Sequence, residues 1–97
     1  MVQVQEKGTP SITHGFRLIK GNDVSDGIPK DASKPFIIAS RHGGQVVTYT
    51  FESTDPNSKL IFVNKVEFDG KDLTVHIYNL SGGPINNVKV TGWEVQV

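Results

Sequence analysis

The sequence predicts an all-β protein: an antiparallel β-sandwich, jelly-roll-like, of about seven to eight short strands. Three observations carry that expectation. Short runs rich in Val, Ile, Thr, Phe and Tyr recur along the chain, punctuated by Gly, Pro, Asn and Asp. Apolar residues nowhere recur at three-and-four spacing for long enough to make a helix. The length of 97 residues suits one domain with one thin core. Residues 1–10 read as an extended N-terminal arm and residues 11–97 as a single sandwich domain.

Taken in order, Ser11–Leu18 forms the first strand, with Ile12, Phe16 and Leu18 on one face. Residues 20–34, "KGNDVSDGIPKDASK", read as a long polar crossing. Pro35–Ser40 is apolar on both faces, as a fully buried strand would be. Gln45–Ser53 sets Val47, Tyr49 and Phe51 against Thr48 and Thr50. Lys59–Asn64 is again apolar throughout. Val66–Phe68 and Leu73–Asn79 flank "DGKD", a hairpin turn in which Gly70 takes the positive φ required. Leu73, Val75 and Ile77 then face inward, and Thr74, His76 and Tyr78 outward.

The last strand, "NNVKVTGWEVQV", contains a phase slip. Val88 and Val90 set one face, whereas Trp93, Val95 and Val97 keep the other. A β-bulge at Thr91–Gly92 would reconcile them, with Gly92 tolerating the irregular backbone. Such sheets have edges. Lys65, Lys71 and Lys89 either discourage strand addition there or lie beside a neighbouring subunit.

Ten basic residues balance ten acidic ones. That balance argues against a general nucleic-acid binder, which needs excess positive charge, and against a polybasic membrane anchor. With no cysteine, disulfides, thiol nucleophiles and zinc–thiolate sites are excluded. "MVQVQEKGTPS" has no apolar signal-peptide core, and synthesis in the cytoplasm without a signal peptide is expected. No run of residues is long and apolar enough to span a bilayer as a helix.

Candidate sites are few. Setting Gly27 at the glycine of an EF-hand loop puts Val24 and Ser33 at ligand positions, which breaks that pattern. A cation held by Asp23, Asp26 and Asp31 is the alternative to a solvated crossing. A structureless stretch this long is usually a contact surface, so the reading is a partner-facing loop without metal. Its candidate contacts are Asn22, Asp23, Asp26, Ile28 and Lys30. "SRHGG" adds Arg41 and His42, where a cation and backbone N–H groups could meet an anion or a sugar hydroxyl, or simply form a turn. His14, His42 and His76 are scattered and read as surface or turn residues. Ser40, His42 and Asp55 could be assembled into a triad on paper, but no G-x-S-x-G elbow accompanies them. No cofactor is expected. Trp93 and Tyr78 are candidates for stacking on sugar rings in a lectin-like alternative. "NLS" at residues 79–81 is a glycosylation sequon expected to stay silent.

The segment "DLTVHIYNLSGGPINNVKVTGWEVQV" combines a strand ending in Tyr-Asn, a Ser-Gly-Gly turn and an Asn-Val-x-Val strand with an aromatic near its end. It resembles small β-sandwich proteins of bacteriophage particles: capsid decoration (cement) proteins and tail-fibre or baseplate modules. The resemblance implies a non-enzymatic, usually trimeric module that grips a protein lattice in the virion. Its partners would be protein subunits, of its own kind or of a lattice, with no nucleic acid and no membrane. No residue role is carried over, because no family motif is matched position by position.

Overall fold

The computed structural model describes residues 17–56 and 60–96. The expected arm, Met1–Pro10, and most of the expected first strand lie outside them. The described residues form six strands and no α-helix: β1 (Arg17–Ile28), β2 (Ser33–Ile38), β3 (Gln45–Ser53), β4 (Ile61–Phe68), β5 (Leu73–Asn79) and β6 (Ile85–Gln96). They make two three-stranded antiparallel sheets, ordered β1-β6-β3 and β2-β5-β4. One apolar cluster joins the two: Ile28, Val46, Ile85, Val88 and Val90 from the first sheet, Phe36, Ile38, Leu73, Val75 and Ile77 from the second. The all-β, sandwich-like class is thus as expected, with six strands among the described residues where seven or eight were expected of the chain.

The count falls for a reason visible in the register. Residues 61–68 are one strand, not two. Val63 opposes Ile77 and Lys65 opposes His76, so Asn64 is an extra residue in β4. That insertion shifts the apolar phase from Ile61 and Val63 to Val66 and Phe68, which made one strand look like two.

The long polar crossing is also a correction. Lys20–Ile28 lies within β1, hydrogen-bonded to β6, and the connection to β2 is only Pro29–Ala32. Asp31, at φ 53°, turns the chain there. Asn22, Asp23, Ser25 and Asp26 sit at a sheet edge, where strand pairing needs no apolar side chain on the wet face. β5 matches expectation: Leu73, Val75 and Ile77 are buried while Thr74, His76 and Tyr78 are half-buried on the other face. At the β4–β5 turn, Gly70 has φ 98°. The Asp69 carboxylate there accepts from Lys71 N (2.9 Å) and Asp72 N (2.7 Å).

The bulge expected at Thr91–Gly92 is not there. From Val88 onward β6 keeps one phase, with Val88, Val90, Gly92 and Glu94 inward and Trp93 and Val95 outward. Its own extra residue comes earlier, between Ile85 and Val88, which oppose Ile28 and Asp26. Opposite Gly92 the irregularities lie in its neighbours. β1 spends Lys20 to Asp23 against Trp93 to Thr91, and β3 spends Val46 to Thr48 against Glu94 to Trp93. Gly92 is needed for packing rather than for a bulge. A Cβ there would overlap the Ile38 and Val46 side chains.

Candidate interaction surface

The candidate contact residues fall into two groups. Arg41 and His42 stand at the Glu94 end of β6, and Asp26, Ile28 and Lys30 at its Ile85 end. Nine residues of strand separate those ends by about 30 Å. Ile28 is 1% exposed and belongs to the core, so its side chain cannot meet a partner. Asn22 is half-buried at the irregularity of β1, and Lys30 is exposed in the turn. Asp23 lies 3.6 Å from Lys20 across the strand surface. Lys34 Nζ is 2.8 Å from Asp26 Oδ2. That ammonium, with the Gly27 N–H, holds the Asp26 carboxyl below its ordinary range.

At the Glu94 end, the backbone donors that could have met an anion or simply formed a turn hold an internal carboxylate. Glu94 is fully buried. Oε2 accepts from Arg41 N (2.6 Å), and Oε1 from His42 N (3.1 Å), Gly44 N (3.3 Å) and the Ser40 hydroxyl (3.2 Å). Burial pushes the Glu94 carboxyl up, but these donors together outweigh burial and leave it below the ordinary glutamate value. Gly21 makes room, since a Cβ there would stand 2.6 Å from Glu94 Oε2. The loop at residues 40–44 is therefore a folded structural element built around a carboxylate.

Asn79 plays the matching part at the other end. Its Nδ2 donates to the carbonyls of Ile28 (3.0 Å), Pro29 (3.2 Å) and Gly83 (2.8 Å), and its Oδ1 accepts from Ser81 N and Oγ. The amide of the sequon is fully buried, so the folded protein offers it to no glycosylating enzyme.

The two rings proposed to stack on sugar do not converge. Trp93 lies on the outer face of sheet β1-β6-β3, its Nε1 3.4 Å from Thr50 Oγ1. Tyr78 lies on the outer face of the other sheet, its ring 5.6 Å from that of Phe62. Among the described residues no group of three His, Asp or Glu side chains could hold a metal ion, and no helix is long and apolar enough to cross a membrane.

What the structure does gather is exposed apolar surface. Ile37, Leu60, Phe62, Val66, Phe68 and Leu80 are six of the nine exposed large hydrophobics described, and all belong to or adjoin sheet β2-β5-β4. Leu80 N donates to Leu60 O at 2.8 Å, continuing the register that pairs Phe62 with Tyr78. Leu60, Phe62, Tyr78 and Leu80 thereby form one outer patch. Beside them, His76 Nε2 lies 2.7 Å from Glu67 Oε1 and Lys65 Nζ 3.4 Å from Glu67 Oε2. The hydrogen bonds from His76 and Lys65 hold the Glu67 carboxyl below its ordinary value.

A second apolar surface opens at one margin. β1 and β2 approach along one side of the molecule, whereas β3 and β4 barely meet along the other. There Val46, Val47, Phe68 and Leu73 line an open depression, and Phe51, on the core-facing side of β3, is exposed. Neither apolar surface stands out in the sequence, because "KLIFVN" and "VEF" look like core. The available signal was the alternation itself, which leaves Phe62 on the face opposite Ile61 and Val63. Comparison with protein-family models, with curated proteins and with solved structures finds no match to this chain.

Proposed function

We propose that this chain is a non-enzymatic structural module, an oligomeric virion accessory protein that attaches to other protein subunits as capsid decoration or tail components do. The observation that carries the reading is the concentration of exposed apolar side chains on and beside sheet β2-β5-β4. An exposed apolar patch such as the outer one of Leu60, Phe62, Tyr78 and Leu80 marks a protein contact more often than a solvent face. Leu60, Phe62, Tyr78 and Leu80 supply the attachment patch, with an aromatic pair at its centre of the kind that anchors protein interfaces. The polar side chains that could do chemistry are spent on structure: Glu94 on the 40–44 loop, Asn79 on two turns, and Asp69 on the β4–β5 turn.

The finer fold reading is a shortened jelly roll. Folding the chain in half between β3 and β4 lays β1 on β6 and β2 on β5, and the two pairs fall in different sheets. An eight-stranded roll would add one more strand to each sheet beyond β3 and β4, at the margin that stands open.

Co-production with the structural proteins encoded beside its gene tests attachment. The chain is expected to co-sediment with assembled particles, and Phe62→Asp with Leu80→Asp is expected to abolish this while leaving the circular-dichroism spectrum and melting transition in place. Wild-type protein absent from particles, or the folded double variant still bound, would overturn the reading.

A further inference from the structure

Among the described residues, β4 is where the sandwich stops. It hydrogen-bonds to β5 on one side and, among those residues, is an edge of its sheet on the other. None of its eight residues is buried, although Val63, Val66 and Phe68 oppose the buried Ile77, Val75 and Leu73. Val66 is 44% and Phe68 50% exposed on a face that points toward the core. Whatever covers this strand must offer a backbone edge, an apolar inner face and charges to match Lys65 and Glu67, whose side chains are 61% and 52% exposed on the outer face.

We propose that the occupant is a second copy of this chain, docked antiparallel along β4 about a two-fold axis through Val66. The stretch Lys65-Val66-Glu67 has the symmetry that such a contact demands. A two-fold contact is isologous, so every residue must suit its own reflection. Turned about Val66, Lys65 falls opposite Glu67 of the second copy and Glu67 opposite Lys65 of the second copy, while Val66 meets its own counterpart. The outer face gains two opposite-charge cross-strand pairs and the inner face an apolar one. The two β2-β5-β4 sheets become one six-stranded sheet, and the unpaired backbone of both β4 edges is satisfied. Phe68 then lies diagonally beside Val66 of the second copy, within reach of an aromatic ring. A lysine placed only to repel strands would need no glutamate at its reflected position.

The proposal rests on the reading of the chain as an oligomeric structural module, and it names the surface through which copies meet. Sedimentation equilibrium of the full chain over a dilution series tests it, with folding checked by circular dichroism. The wild type is expected to be a dimer. Lys65→Glu and Glu67→Lys each set like charges opposite one another twice per contact, and each is expected to weaken the dimer about tenfold or more. The double variant K65E/E67K restores both pairs and is expected to return to within about threefold of the wild type. A monomeric wild type overturns the proposal, whether Lys65 acts as a guard or residues 1–16 of the same chain cover the edge. A trimer overturns it too, since a two-fold edge contact closes at two copies. So does a dimer indifferent to the single reversals, or a double variant as weak as either single. Failure here is separable from failure of the attachment reading: a monomer that still joins particles sinks only the β4 contact, and a dimer that joins none sinks only attachment.

Discussion

The two long sides of the sandwich are made from similar apolar composition and end differently. Along the β1/β2 side, Ile28, Phe36 and Ile38 are each at most 1% exposed. Along the β3/β4 side, Phe51, Val66 and Phe68 have the same orientation toward the interior and are 38–50% exposed. The difference lies in what stands opposite. β1 and β2 close over one another, while β3 and β4 diverge and leave each other's inner faces uncovered. Apolar alternation therefore fixes which way a side chain points, and the neighbouring strand decides whether it is removed from water.

The sharpest way to break that comparison is to truncate one phenylalanine on each side. Phe36→Ala is expected to cost about 3–5 kcal/mol, the usual range for a buried aromatic. Phe68→Ala, already half in water, should cost about 1 kcal/mol or less in dilute monomer. Urea titrations of both variants at one protein concentration decide it. Equal losses would mean that the open side is covered in solution even for the isolated chain.

Next in size is Glu94, which ties the 40–44 loop to β6. Glu94→Ala leaves the Arg41, His42 and Gly44 N–H groups without this acceptor, while the Ser40 hydroxyl keeps the Gly44 carbonyl at 2.8 Å. The substitution is expected to cost about 2–4 kcal/mol. Glu94→Gln should recover only part of this, because its NH2 group would face donors. The pH dependence has a definite sign. The folded-state carboxyl lies below its unfolded value of 4.5, so its contribution is fully present above 4.5. It is lost as pH falls from there through the folded value. Glu67 and Asp69 shift in the same direction, so Glu94→Gln should lessen the acid destabilisation without abolishing it. Thermal melts at a series of pH values down to the acid transition measure the difference between the two proteins.

Much of the fold was legible in the sequence, and the misreadings share one cause. The inward trio of β5 and the glycine turn at Gly70 could be read directly, because that strand is central, covered on one face and free of irregularity. β1 could not. Its polar residues sit at an edge, where backbone pairing to β6 outweighs side-chain preference. In β6 the reading placed Trp93 inside and Glu94 outside, following hydrophobicity. The structure inverts them, since loop donors some fifty positions earlier satisfy the carboxylate. No local pattern records such a partner. The contact reading of Ile28 failed for the same reason: Ile28 is core only because β6 and β2 pack around it, and the exposed patch exists because none of the described residues does so for β4.

The smallest expected effect sharpens the comparison from the closed side. Lys34 and Asp26 both lie on inner faces of their strands, opposite Ile77 and Val88, and their 2.8 Å ion pair spans the gap between β1 and β2. It could be taken for the clasp that shuts this margin. Both side chains are substantially solvent-exposed, however, at 52% for Asp26 and 36% for Lys34. Water and salt screen such a pair, and holding two side chains in one geometry costs entropy. Asp26→Asn is therefore expected to leave the urea midpoint at neutral pH unchanged within error, in low and in high salt alike. A salt-dependent loss would show that charge closes the β1/β2 side. An unchanged midpoint, set beside a large loss in Phe36→Ala, would assign that closure to apolar burial, the ingredient the β3/β4 side has in its own strands but lacks a partner to complete.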